Sequence, residues 1–301
     1  KDDLVMDGGN SHFKDTSRRA YWMHEKNMHY LGVGISGGEE GARYGASIMP
    51  GGSGRAYRRV EPYLKAMAAQ DQSGNPCCAY IGPGGAGHFV KMMHNGIEYA
   101  EMQLIAEAYD LLRHYAMLPP DRIAGYLEEW NAGQTESYLL GITVDILRKK
   151  EDGDFLIDKV LDQSRQKGTG GWSTLASIEL GMPADIISEA VMARFISSFK
   201  EARLRAEEAY GQEQHRLEGN VEEFAERLHQ GYDAFRIINH AIGFSVLREA
   251  ANDYSWDLDF PEIARIWTNG CIIRSRLMEH LVEWLNGFDE RSLLEHPDVV
   301  D

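Results

Sequence analysis

Hydrophobic and polar positions change their rhythm once along this chain, near residue 85. Before that point short apolar runs alternate with stretches of helical period. Leu4-Val5-Met6, His29 to Val33, Ala46 to Met49 and Cys77 to Ile81 read as strands, with helices over about 11–27 and 54–69. Beyond it, helix follows helix: about 88–116, 120–131, 135–149, 172–180, 184–210, 219–252, 259–268 and 270–286. Pro119-Pro120, Gly153, Gly168 to Gly171 and Pro183 punctuate this half, and it carries no strand pattern. The expected fold class is α/β followed by all-α, with residues 1–86 as part of a sheet domain and 87–301 as a large helical one. The acidic 205–225 region reads as a solvated helix connection. In the 219–252 helix, Ile237, Ile238, Ile242, Phe244, Val246 and Leu247 spread around much of the girth, which predicts an extensive helical interface.

Composition narrows the functional classes. With 301 residues, 43% of them hydrophobic, the chain can bury a sizeable core. Its net charge of -16 disfavours nucleic acid or an anionic membrane as partner, because phosphate contacts need a basic surface. An anionic ligand must therefore be met by a few local cations. No apolar run approaches the roughly 20 residues that span a bilayer, and the start Lys-Asp-Asp-Leu has no signal-peptide pattern, so the cytoplasm is the expected compartment. Cys77, Cys78 and Cys271 are odd in number, lack a C-x-x-C spacing and are expected to be reduced and structural; no metal site is expected.

Gly82, Gly84 and Gly87 match G-x-G-x-x-G, the spacing that lets a backbone approach a pyrophosphate at a helix start. A dinucleotide fingerprint also needs a second strand about thirty residues on, within a βαβ unit. Here the following helix runs to Pro119 and further helices succeed it, so these glycines are expected to form a tight exit from the last strand.

The helix itself is more informative. Lys91, His94, Asn95, Glu98 and Tyr99 fall at i, i+3, i+4, i+7 and i+8, on one face, while Val90, Met93, Ile97, Ala100 and Leu104 occupy much of the other. An ordinary solvated stripe tends to pair Glu and Lys at i,i+4. These are two turns apart with an amide between, an arrangement suited to a base and an acid reaching opposite ends of one small ligand. Asp7-Gly8-Gly9-Asn10 and Gly34 to Glu40 end two strands, where open parallel sheets place ligands, and Ser36 with the Gly37 and Gly38 amides could hold a carboxylate. Gln166-Lys167-Gly168-Thr169-Gly170 offers a cation, a hydroxyl and flexible backbone ahead of a helix, suited to a phosphate, without Walker spacing.

Taken together and in order, these residues closely resemble the 6-phosphogluconate dehydrogenases. The resemblance runs through Asp7 to Asn10, Ser36 to Gly45, Met49 to Gly52, Gly87 to Tyr99, Gln166 to Gly170, Ala193-Arg194 and Gly270 to Ser275, nearly the whole chain. It implies a partial doubly wound (Rossmann-like) sheet plus a large all-helical domain, and a homodimer. It further implies oxidation of 6-phosphogluconate at C3 by NADP, without a metal, and loss of CO2 from the β-keto acid to give ribulose 5-phosphate, in the oxidative pentose phosphate pathway. In that pattern Lys91 is the base at the C3 hydroxyl and Glu98 the acid that protonates C1 of the enediol. Ser36, Gly37, Gly38, His94 and Asn95 would hold the carboxylate and hydroxyls; Tyr99, Lys167, Thr169 and Arg194 would hold the phosphate; Asn10 and Glu39 would border the nicotinamide.

The departures from the family also count. The family's Gly-rich NADP turn and its first strand and helix lie upstream of the pattern found here, and its C-terminal tail, which enters the neighbouring subunit, lies downstream of Arg274. The expectation is an ordered or expressed part of a longer enzyme, silent in catalysis as given. The alternatives are a short homologue binding a sugar phosphate or a partner without redox activity, and a different β-hydroxyacid dehydrogenase. The residues that choose between NADP and NAD, near the adenosine 2′ position, are not among those matched.

Overall fold

A computed structural model describes residues 2–165, 168–211, 215–288 and 292–300. Three strands form the sheet in the order β1-β2-β3. β1 (Leu4–Asp7) runs parallel to β2 (His29–Ser36), pairing Leu4 with His29 through Asp7 with Gly32. β3 (Ser47–Gly52) is antiparallel to β2, with Ser36 opposite Ser47, so the sheet is mixed where a parallel one was expected. Between the strands lie α1 (Phe13–Glu25) and α2 (Gly38–Tyr44), and α3 (Gly54–Met67) follows β3. α1 packs on β2 and α3 on β2 and β3, enclosing Leu31, Val33, Ile48, Tyr57 and Leu64.

Cys77 to Ile81 does not form the predicted strand. Its backbone meets β3 through single bridges, Ile48 with Cys78 and Gly51 with Gly82, because Pro50 between them accepts from the Ile81 amide but has no N–H to donate in return, which interrupts the ladder.

The chain then enters α4 (Ala86–Asp110), which organises the rest of the molecule. Its start lies on β2 and β3, and its middle packs against α7 (Thr169–Glu179), α8 (Asp185–Ser198) and α10 (Val221–Asp253). Both faces are therefore covered. The polar stripe read from the sequence is not solvated: Lys91, His94, Asn95 and Tyr99 are buried beside Val90, Met93 and Ile97. α4 ends in a π-helical turn, Leu111–Tyr115, where the sequence suggested a continuous helix. Beyond it α5 (Pro120–Asn131) and α6 (Tyr138–Arg148) pack together over a second core that includes Leu112, Ile123, Leu127 and Leu140.

Of four further differences, three have local causes. A two-stranded hairpin, Lys150–Glu151 with Asp154–Phe155, turns through Asp152 and Gly153 at positive φ, in a half that showed no strand pattern. The 184–210 helix is two, α8 and α9 (Lys200–Tyr210), broken where Phe199 leaves helical geometry at ψ 47°. The last long helix, α12 (Arg276–Trp284), begins only after Ser275, whose hydroxyl caps the Met278 amide, so Gly270 to Ser275 is irregular. It follows α11 (Phe260–Ile266), and a short α13 (Pro297–Val300) comes last. Finally, Phe244, Val246 and Leu247 of α10 are spent on the chain's own core instead of an outer interface. α9 has no buried residue, in keeping with a solvated connection.

The glycine run at 82–87 does packing work. A Cβ on Gly87 would lie 2.3 Å from the Met49 carbonyl oxygen and 2.6 Å from the Gly51 amide nitrogen, so only glycine lets α4 start against the sheet. Gly87→Ala is expected to cost about 1–3 kcal/mol or more by overpacking. Gly125→Ala, inside α5 with nothing within 4 Å of its Cβ, should instead stabilise by about 0.5–1 kcal/mol. Urea unfolding of the two variants checks both signs; a neutral Gly87→Ala would refute the packing assignment.

Candidate functional site

The candidate residues of α4 meet the carboxyl end of β2 in one buried polar group. Lys91 Nζ donates to Asn95 Oδ1 one turn along and lies 3.2 Å from His94 Nδ1. His94 Nε2 faces Ser36 Oγ at 3.2 Å, so the last residue of β2 touches the middle of the stripe. Asn95 Nδ2 donates to Thr169 Oγ1 at 3.0 Å, which ties in the first residue of α7. With His94 Nδ1 accepting from Lys91, its Nε2–H points to the serine, and the Ser36 hydroxyl proton is left to reach a ligand.

Burial tunes these groups. It pushes the Lys91 ammonium below its usual range, although the Glu98 carboxylate pulls the other way. It also pushes His94 well below the ordinary imidazole value, helped by the neighbouring Lys91 and His240. An amine that loses its proton easily, next to a neutral imidazole, is fitted to accept one from a hydroxyl. Glu98 Oε2 is 3.7 Å from His94 Nδ1, one turn nearer to solvent.

Glu98 also lines an open cleft of about 1160 Å³, together with Gly37, Gly38, Glu39, Met102 and Arg274. Gly37 holds φ at +125°, and a Cβ there would sit 2.5 Å from the Gly270 carbonyl oxygen, so the turn after Ser36 requires glycine. At the other end of the stripe Tyr99 is buried with the Arg194 guanidinium stacked on it, 3.7 Å from the ring centroid.

Asn10 and Glu39 are not joined to this group. Both are exposed, Asn10 three residues beyond β1 and Glu39 on α2, where it lies 3.7 Å from Arg43. Lys167 lies outside the described residues. Two neighbours of the stripe carried no sequence signal, Trp267, edge-on to His94 at 5.3 Å, and His240 on α10; a third, Cys271, whose burial raises its thiol to about 12, lies in the matched Gly270 to Ser275 stretch but was read only as a structural thiol. They are about 150–180 positions from the stripe in sequence, a distance that no local pattern bridges. Among the described residues no cluster of His, Cys, Asp and Glu is arranged to hold a metal ion, and no helix is long and apolar enough to cross a membrane.

Comparison with known proteins decides the family. The model of the 6-phosphogluconate dehydrogenase C-terminal domain matches residues 87–301, and that of the NAD binding domain of 6-phosphogluconate dehydrogenase matches 1–82. This chain belongs to the 6-phosphogluconate dehydrogenase family. It is 46% identical over 284 residues to the decarboxylating 6-phosphogluconate dehydrogenases of Citrobacter amalonaticus and Shigella boydii. The match takes in 94% of this chain and 64% of theirs, so the chain spans less than two thirds of those relatives' length. A Plasmodium falciparum 6-phosphogluconate dehydrogenase, whose structures include its apo form and complexes with its cofactor NADP+ and its substrate 6-phosphogluconate, superposes with a TM-score of 0.96. That pair shares 38% identity over 99% of this chain and 65% of the other. The sequence expectation of a partial Rossmann-like sheet followed by a large helical domain is borne out, with the hairpin at Lys150–Phe155 as the one small sheet among the described helices.

Proposed function

We propose that the chain carries the sugar-phosphate side of an NADP-dependent oxidative decarboxylation of 6-phosphogluconate to ribulose 5-phosphate and CO2. The observation that supports this best is the buried set Lys91–His94–Asn95–Thr169, joined to Ser36 at the carboxyl end of β2. Ser36, the Gly37 and Gly38 amides, His94 and Asn95 take the carboxylate and hydroxyls. Lys91 removes the C3 hydroxyl proton during oxidation and returns a proton to the carbonyl oxygen as CO2 leaves. Glu98, at the cleft, delivers a proton to C1 of the enediol. Tyr99, Thr169, Arg194 and Lys167 receive the phosphate, with Arg194 and Lys167 as the local cations that a chain of net charge -16 needs for an anionic ligand.

NADP, when bound, accepts the hydride from C3. Among the described residues, exposed Asn10 and Glu39 suit a nicotinamide border, while the 82–87 glycines do not suit a pyrophosphate, since Phe13, Met49 and Gly51 backbone atoms fill the space above Gly85 and Gly87. The protein acts in the cytoplasm, as a homodimer. Exposed Met192, Phe195, Ile196, Phe199 and Leu204 along α8 and α9 support pairing with a second copy.

Calorimetry on the 301-residue chain tests the reading. Titration with 6-phosphogluconate is expected to give saturable binding that gluconate reproduces only weakly, and titration with NADP to give neither micromolar binding nor turnover. No heat from millimolar 6-phosphogluconate would overturn the substrate assignment. Micromolar NADP binding with turnover would overturn the account of the glycine run.

A further inference from the structure

The approach to the phosphate end is built from two segments thirty residues apart. Asp162 to Arg165 lies along a row of side chains on α8 and α9, each three positions from the last: Arg194, Ser197, Lys200 and Arg203. Asp162 pairs with Lys200 at 2.5 Å and with Arg203 at 2.9 Å. The Ser164 amide donates to Ser197 Oγ at 2.9 Å. Arg194 Nη1 donates to Ser164 Oγ at 2.8 Å and to the Arg165 carbonyl at 3.1 Å. Arg203 Nη2 closes the set on the Asp162 and Ser197 carbonyls at 3.1 and 3.0 Å.

Arg194 therefore has its position fixed on two sides. The Tyr99 ring supports its face and Met102 Sδ accepts from Nη2 at 3.4 Å, while the Ser164 hydroxyl and Arg165 carbonyl hold Nη1. The segment that holds it runs directly into Gln166-Lys167-Gly168-Thr169, whose far end is tied to Asn95. Ser197 occupies the middle of this clamp. Its hydroxyl oxygen accepts the Ser164 amide and its proton goes back to the Arg194 carbonyl at 2.7 Å.

We propose that Ser197, acting through Ser164, is a positioning residue for phosphate recognition: it locks the 162–165 segment onto α8, and thereby sets the Arg194 guanidinium. The inference rests on the reading of Arg194 as part of the phosphate site. Asp162 is exposed and its partners Lys200 and Arg203 are half-buried, so these ion pairs are individually weak holds that solvent screens. The Ser197–Ser164 contact is a part-buried hydrogen bond from the Ser164 amide to the Ser197 hydroxyl, and losing it releases the segment that holds Arg194.

The test compares Ser197→Ala, Ser197→Thr and Arg194→Ala in the full native reading frame, with 6-phosphogluconate and with gluconate. Loss of one neutral hydrogen bond corresponds to about 3- to 10-fold in an equilibrium constant. Ser197→Ala is expected to raise KM for 6-phosphogluconate by about that factor at nearly constant kcat, to leave kcat/KM for gluconate unchanged, and to be rescued by Ser197→Thr, which keeps the hydroxyl. An unchanged KM in Ser197→Ala beside a raised one in Arg194→Ala would overturn the positioning role alone. Equal losses on both substrates in Ser197→Ala would reduce it to a structural serine. Equal losses in Arg194→Ala would remove the phosphate reading, and this proposal with it.

Discussion

Lys91→Met, in the full native reading frame, is expected to lower 6-phosphogluconate-dependent reduction of NADP by about 10²- to 10⁴-fold, the usual worth of a positioned general base. The methionine fills much of the same buried space, and the side chain it replaces is an amine whose burial already disfavours its charge, so the fold should not suffer. Substrate affinity should change much less than kcat, because Ser36, His94 and Asn95 remain to hold the ligand. The sign of the pH dependence follows from the depressed amine: as pH falls through its lowered value Lys91 takes up a proton and cannot accept another, so the acid limb of the wild-type rate profile should disappear in the variant's residual activity. Glu98→Gln offers the contrast. It should leave hydride transfer and slow mainly the exchange of solvent hydrogen into C1 of ribulose 5-phosphate, measurable by NMR in deuterated water. Near-normal turnover of Lys91→Met would remove the base assignment.

Arg236→Met should produce the largest loss of stability, about 3–5 kcal/mol, the cost of stranding a buried charge. Arg236 Nε donates to Glu101 Oε2 at 2.9 Å and its Nη1 to the Thr135 carbonyl at 3.1 Å, all within the interior between α4 and α10. Asn239 adds a donor to Glu101 Oε1 at 3.3 Å and to the Ile97 carbonyl at 3.0 Å, next to Glu98. Burial alone would raise the Glu101 carboxyl, yet Arg236 with His240 and Asn239 holds it below its usual value. A depressed carboxyl contributes stability that is present above its unfolded value and lost as pH falls through the folded one. His88, His94 and His240, all depressed by burial, act in the same direction, since the unfolded chain takes up protons below about 6.5 that these buried rings refuse. Urea midpoints should thus fall with pH in the wild type. In Arg236→Met the Glu101 carboxyl loses its main partner and its value should rise, so the midpoint near neutral pH drops most. A double variant, Arg236→Met with Glu101→Gln, should lose less than the sum of the two single changes, because no stranded carboxylate remains. A loss below about 1 kcal/mol in Arg236→Met would refute the buried pair as a major hold.

Periodicity alone was enough to place the change from α/β to helical texture and most helix cores, because burying one face of an element imprints a period of two or 3.6 on the chain. It was also enough to bring Lys91, His94, Asn95, Glu98 and Tyr99 onto one face, since that follows from helix geometry without any partner. The order of short motifs was enough for the family. What no local pattern carries is the environment of those side chains. Whether the α4 stripe faces water or protein depends on α7, α8 and α10, which return from up to about 150 positions away; only their packing desolvates Lys91 and His94 and so lowers both below their ordinary values. The direction of β3 and the collapse of Cys77 to Ile81 into single bridges were likewise settled by pairing between separate segments, which overrides weak local preference. The clamp of Ser164 on Ser197 has the same origin: two serines in unremarkable stretches acquire a task only when folding sets one beside the other, next to the arginine that the motif had already singled out.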